Sequence, residues 1–182
     1  MEVAELDDLV IAARAGAPEA IARLCAHFYP KVYRFMLNRT ARREDAEDLA
    51  GDTCLRVLRS LPQQRGFFPA WVFRIAANLV TDTYRHGSEK REVKLPDNAA
   101  DTLADPKEEG RGILPHQVAR ALETLTAEQR DVIHLRFVEG FDASEIAQVL
   151  GKSSGAVRAL QFRAMESLRE ALAVQSGAGH EQ

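Results

Sequence analysis

Asp142-Ala-Ser-Glu-Ile-Ala-Gln-Val-Leu-Gly-Lys-Ser-Ser-Gly-Ala-Val-Arg-Ala-Leu-Gln-Phe-Arg163 decides the fold of the C-terminal third of this chain. Asp142 followed three residues later by Glu145 is the aspartate form of a capping box, which starts a helix over 143–150. Gly151 ends that helix, because a left-handed residue closes the turn at little steric cost when no Cβ is present. A second helix begins at Ser154. Ala147 stands where the two helices cross, Gly151 four residues on makes the turn, and Val157 six residues further plugs the angle between them, with Ile146, Leu150 and Leu160 around it. That Ala–Gly–Val spacing is what a helix-turn-helix needs. The alternative is an ordinary αα-corner. Against it stands what the second helix turns outward with Val157, Leu160, Ala164 and Leu168 facing in: Ser153, Ser154, Arg158, Gln161 and Arg163, beside Lys152. Hydroxyls and helix-start N–H groups suit phosphates, and arginine and glutamine suit base edges. Phe162 has two readings, core packing or contact with a thymine methyl, and its apolar character favours the core.

Upstream, Thr126-Ala-Glu-Gln129 is a second capping box, and helices are expected near 114–124, 127–139, 143–150 and 154–173. The N-terminal half has the same 3.6-residue period. Leu6, Leu9, Val10 and Ala13 form one stripe; Ala20, Ile21, Leu24, Phe28, Val32, Phe35 and Met36 another. Ala46, Leu49, Thr53, Val57 and Leu61 make a third, and Phe68, Trp71, Val72, Ile75, Ala76, Leu79 and Val80 a fourth. No run alternates at period two, so the fold class is all-α.

Between the halves, Glu89 to Gly112 carries Pro96, Pro106 and clustered acids with few large apolar residues, the composition of a solvated linker. A loop inside one domain is the other reading, but loops of this length are uncommon in compact domains. The expected organisation is therefore two small helical domains, 1–88 and 113–175, joined by a flexible acidic linker over 89–112, with a frayed tail at 176–182.

The chain has 182 residues, 46% of them apolar and 28% charged, with a net charge of −3. That balance fits a globular protein and argues against wholesale nucleic-acid binding, although a net sum hides local patches. No apolar run approaches the ~20 residues of a membrane span, and the acidic N-terminus lacks the apolar core of a secretion signal, so a cytoplasmic location is expected. Cys25 and Cys54, without CxxC spacing, fit a reducing compartment and small apolar roles in helices. Neither a metal site nor a cofactor is expected.

Two further stretches narrow the function. Residues 67–86 read Phe-Phe-Pro-Ala-Trp-Val-Phe-Arg-Ile-Ala-Ala-Asn-Leu-Val-Thr-Asp-Thr-Tyr-Arg-His, with five of the chain's twelve aromatics in 67–84 and its only tryptophan. Arg74 and Asn78, four apart, share a helix face. Aromatic platforms beside cationic and amide groups hold unstacked bases; the plainer reading is an amphipathic core helix with a basic outer side. Glu44-Asp-Ala-Glu-Asp-Leu-Ala-Gly-Asp-Thr-Cys-Leu-Arg56 gathers five carboxylates at a helix start, where the macrodipole favours them. It reads either as a solvated face or, if Leu49 and Leu55 are exposed, as a seat for a basic partner helix.

These stretches, in order along the chain, resemble bacterial sigma factors of the extracytoplasmic-function (ECF) type, in the sigma-70 family. The resemblance covers roughly 5–172. It implies that Asp45, Glu47, Asp48, Leu49, Asp52, Thr53 and Arg56 dock on the β′ clamp helices of RNA polymerase. By the same resemblance Trp71, Arg74, Asn78, Asp82 and Arg85 read and melt the promoter −10 element, and the loop Gln63 to Phe68, with Arg65, Phe67 and Phe68, captures a flipped base. Lys152, Ser153, Ser154, Arg158, Gln161 and Arg163 then contact the −35 duplex. Expected partners are the polymerase core (β′ clamp helices and β flap), promoter DNA and an anti-sigma factor. Ala159-Leu160 stands where many members carry a Ser-Arg pair, so one cation fewer faces the DNA. The implied function is promoter direction without catalysis. Two rivals are a free-standing dimeric helix-turn-helix regulator and a helical enzyme built on His27, His86, His116 or His134; the first leaves 67–86 unused, and no HExxH, paired carboxylates or phosphate loop supports the second.

Overall fold

The computed structural model describes residues 3–40, 42–86 and 116–177. Every regular element among them is helical. The expected linker at 89–112 lies outside the described residues, as does the tail from 178.

Four helices build the N-terminal half: α1 (Val3–Arg14), α2 (Pro18–Leu37), α3 (Arg43–Ser60) and α4 (Phe68–His86), with a 3-10 turn at Leu61–Gln63 before α4. Pro18 opens α2, where its missing N–H is harmless. Pro30 falls inside the same helix without ending it. The carbonyl it leaves without a helical donor belongs to Ala26, which is exposed, so water can take the bond. The stripes meet as the period requires: Leu9 and Val10 of α1, Phe28, Val32, Phe35 and Met36 of α2, Ala46 and Ala50 of α3, and Val72, Phe73 and Ala76 of α4 are all buried in one cluster.

The C-terminal half contains α5 (His116–Glu123), α6 (Ala127–Ile133), α7 (Ala143–Leu150) and α8 (Ser154–Gly177). Both capping boxes are formed. Thr126 Oγ1 accepts from Gln129 N at 3.3 Å while Gln129 Oε1 accepts from Thr126 N at 2.9 Å. Asp142 Oδ1 accepts from Ser144 N and Glu145 N at 2.7 and 2.8 Å, and Glu145 Oε2 accepts from Asp142 N at 2.7 Å. Removing either cap by Thr126→Ala or Asp142→Ala is expected to lower stability by about 1 kcal/mol, measured as a drop in urea midpoint at unchanged slope. α6 runs on into a π turn, His134–Val138, closed by Glu139 N donating to His134 O at 3.2 Å. Gly140, at φ +76°, then reverses the chain and delivers Phe141 to the interior.

That delivery amends the picture of two bodies held only by a linker. Leu122, Leu125, Ile133 and Ala164 form a small cluster of their own, but Val132, Leu135, Phe141, Ile146, Val149, Val157 and Leu160 join the N-terminal core. Phe141 meets Phe73 edge-on, ring centroids 5.5 Å apart. The helix-turn-helix half presents more apolar surface than its own four helices can cover, and α2 and α4 cover the rest. α8 also runs to Gly177, beyond the expected 173 and into the expected tail.

Candidate nucleic-acid and polymerase interfaces

The first candidate surface begins at a loop fastened from two sides. Gln64 is buried; its backbone carbonyl accepts from Arg14 Nη2 at 2.6 Å, and its Nε2 donates to Gly66 O at 2.7 Å. Arg65, braced by its guanidinium on Pro62 O and Gln64 O, and Phe67 are left exposed. Phe68, expected beside them in the base-capturing loop, is instead sealed in the core, edge-on to Phe28 at 5.3 Å. As the first residue of α4 it points along the apolar stripe, so it supports the loop and cannot meet a base. Trp71 is half-buried and leans on Phe68 at 5.7 Å. Arg74, Asn78 and Asp82 follow at four-residue steps and are all exposed. Arg85 continues α4, its side chain outside the described set.

The second surface is α8 with its preceding turn. Gly151 sits at φ +63° in the left-handed region. Ala147 is buried at the crossing, and Val157 is fully enclosed in the angle, with Ile146 and Leu160 beside it. Ser153 caps α8, its Oγ accepting from Ala156 N at 3.2 Å. Arg158 and Arg163 are exposed, while Ser154 and Gln161 are half-buried. Lys152 is half-buried and ion-paired to Glu128 at 2.7 Å. Phe162 is 61% exposed, which overturns the preference for a core role. At about 100° per residue it lies roughly 140° round the helix from Val157, away from the core that Val157, Leu160 and Ala164 define.

The third surface is α3. Asp45, Glu47, Asp48, Asp52 and Arg56 are exposed. Leu49 and Thr53, expected among them, are buried, the Thr53 hydroxyl bonded to Leu49 O at 2.7 Å. They fall on the α3 face that meets α2 and α4, so they hold the acids in place and touch no partner. Of the two leucines whose exposure the partner-helix reading required, only Leu55 is exposed. Glu47, Asp48 and Asp52 wall an open groove of about 720 Å3 between α2 and α3 whose floor includes Cys25, Tyr29, Cys54 and Leu55. Tyr29, absent from the sequence reading, stacks parallel to Tyr33 at 6.4 Å; a tyrosine one turn along from Cys25 on the polar side of α2 was the available signal.

Comparison with known proteins decides what these surfaces belong to. Sigma-70 region 2 matches residues 24–90 and Sigma-70 region 4 matches 121–170. The ECF RNA polymerase sigma factor SigD of Mycobacterium tuberculosis is 32% identical over 93% of this chain and 85% of its own length. The chain belongs to the sigma-70 family, among the ECF sigma factors. The ECF sigma factor BldN of Streptomyces coelicolor is 33% identical over 93% of this chain, which spans 66% of that protein. Among solved structures, CnrH in complex with the cytosolic domain of CnrY is 26% identical, with a TM-score of 0.66 over 91% of this chain and 96% of that one. As a sigma factor the chain directs RNA polymerase to promoters.

Region 2 of this sigma factor contains both cysteines, and both are free thiols. Burial pushes the Cys25 thiol up. Burial, with Cys25 adding to it, pushes Cys54 up to about 11. A thiol that weakly ionised is a poor nucleophile at neutral pH. Iodoacetamide at pH 8 is therefore expected to label Cys54 in the native sigma factor at least tenfold more slowly than in urea; equal rates would show an exposed, ordinary thiol. Among the described residues no group of three or more His, Cys, Asp or Glu is placed to hold a metal, and no helix is long and apolar enough to cross a membrane.

Proposed function

We propose that the two halves, 1–88 and 113–175, divide promoter recognition between them, and that the chain is no enzyme. The exposed acids of α3 (Asp45, Glu47, Asp48 and Asp52), with Arg56, meet the β′ clamp helices, using the groove floored by Tyr29 and Leu55. Arg65, Phe67, Trp71, Arg74, Asn78, Asp82 and Arg85 read and open the −10 element. The α8 side chains Arg158, Gln161 and Arg163, with Lys152, Ser153 and Ser154 at the helix start, bind −35 duplex, next to the β flap. One observation carries this reading: a chain of net charge −3 exposes Arg74 with Asn78 on one helix and Arg158 with Arg163 on another. Net acidity makes binding to free DNA weak, because that affinity comes from counterions released by cations; polymerase must bring the cationic faces to the promoter. The work is then done where polymerase is, in the cytoplasm. CnrH is solved in complex with the cytosolic domain of CnrY; for this chain a protein partner acting as an anti-sigma factor is proposed.

Size-exclusion chromatography with core polymerase tests the reading. Co-elution at equal stoichiometry is expected. A dimer that binds duplex DNA and ignores polymerase would replace it with a free-standing regulator. For the −10 face, Asn78→Ala is expected to slow promoter opening about tenfold while closed-complex formation changes little. A template already melted at −10 should then restore the variant's transcription, and failure of that template to help would remove the melting role.

A further inference from the structure

Gln64, in the loop before α4, is 1% exposed, and each of its polar atoms is engaged. Its N donates to Leu61 O at 3.1 Å, and its Nε2 donates to Gly66 O at 2.7 Å. Both of its oxygens are met by Arg14, the last residue of α1. Arg14 Nη2 donates to Gln64 O at 2.6 Å and also to Gln64 Oε1. One guanidinium nitrogen, with its two protons, thus clamps the backbone and the side chain of one loop residue. Arg14 is well placed for this. Leu6, Leu9, Val10 and Ala13 bury one side of α1. Gly16, at φ +86°, then ends the helix: Gly16 N donates to Ala13 O at 3.0 Å and Ala17 N to Ala12 O at 3.1 Å. This pair of bonds is a Schellman closure, and it fixes the turn that Arg14 occupies.

The clamp sets the path by which the chain leaves and re-enters the core. Arg65 Nη1 donates to the same Gln64 carbonyl at 2.8 Å. Gly66, at φ +76°, turns the chain in the left-handed region. Phe67 is then exposed, while Phe68 goes into the core. Without Arg14 the buried Gln64 Oε1 would lose its donor, and a buried acceptor with no partner is costly. The loop would give up this geometry to reach water. Arg14 is itself exposed, so replacing it leaves no cavity behind. The effect is therefore confined to the loop.

We propose that Arg14 is a positioning residue for base capture: acting through Gln64, it sets Arg65 and Phe67 in advance as the surface that an extruded −10 base meets. Extruding a base costs unstacking energy, and ordering a loop at the same moment would add to it. The inference rests on the capture role proposed above for this loop. It gives α1, which begins before the Sigma-70 region 2 match, a part in reading DNA. The test has two readouts. The first needs no DNA: trypsin cleavage after Arg65 in the full chain, followed by mass spectrometry, should be about tenfold faster in Arg14→Ala than in the wild type. An unchanged rate overturns the clamp. The second uses polymerase holoenzyme and a promoter fragment that it transcribes, made with a single-stranded −10 non-template strand in which each base in turn is abasic. In the wild type one abasic position should weaken binding about tenfold, within the range for losing one stacked base. In Arg14→Ala the intact strand should bind about as weakly as that abasic one, so that the difference between them shrinks below about twofold. Co-elution with core polymerase should not change; its loss would show a wider structural role and overturn the inference. Circular dichroism checks helix content, and if Arg14→Ala loses helix, Arg14→Met, which keeps the stem, takes its place. A wild type indifferent to every abasic position removes capture, and the inference with it. A wild type that discriminates beside an Arg14→Ala chain that discriminates equally overturns the positioning role alone.

Discussion

Phe35→Ala will destabilise the whole described structure by about 3–5 kcal/mol, the range for deleting a buried aromatic ring. Phe35 is fully enclosed and touches both halves: Phe73 edge-on at 5.5 Å, and His134 at 5.7 Å. Its removal empties the middle of the common core, where Val32, Leu135 and Ile146 also lie. Domains of this size are stable by roughly 5–15 kcal/mol, so a large part of the margin goes with one side chain. Urea unfolding followed by circular dichroism measures it, with a midpoint shift on the order of 1–3 M. A loss below 1 kcal/mol would mean that the halves do not share a core.

The second large effect is expected at α8. Arg158→Ala and Arg163→Ala should each weaken closed-complex formation by the polymerase holoenzyme by about 1–3 kcal/mol, or 5- to 150-fold, if each guanidinium reads a base edge. The geometry supports a direct reading. Both side chains are exposed on the helix whose start is capped by Ser153, and the buried Val157 fixes how α8 is rotated. Mobility shift at fixed salt, on duplexes with single −35 substitutions, separates base readers from phosphate contacts. A base reader loses discrimination at one position, whereas a phosphate contact weakens binding to all sequences alike. Full-strength binding by both variants would remove α8 as the recognition element.

Much of this was legible in the sequence because it is local. The capping boxes at Thr126 and Asp142, the left-handed glycine at 151 and the Arg74–Asn78 face each depend on residues within about one turn of one another, and the structure builds them at those positions. The family resemblance rests on the same local stretches and on their order. Readings that needed a third dimension fared worse. Leu49, Thr53 and Phe68 sit inside sequences rich in exposed functional groups, yet each faces inward, because a helix returns to its buried side every three or four residues whatever its neighbours do. Phe162 erred the other way: aromatic character suggested the core, and the rotation of α8 fixed by Val157, Leu160 and Ala164 put it outside. The seam between halves was not legible at all. Arg39, His134 and Glu139 look like ordinary surface residues of separate helices, and only long-range contact pairs them.

The central claim, that this sigma factor takes RNA polymerase to promoters using α4 and α8, is tested most directly by run-off transcription. Purified chain is added to core polymerase on a library of promoter fragments from its own genome. Defined transcripts from a restricted set of fragments are predicted, reduced strongly by Arg158→Ala and Arg163→Ala, and reduced by Asn78→Ala except on templates melted beforehand. Core polymerase that initiates at no fragment when the folded chain is present would contradict the account.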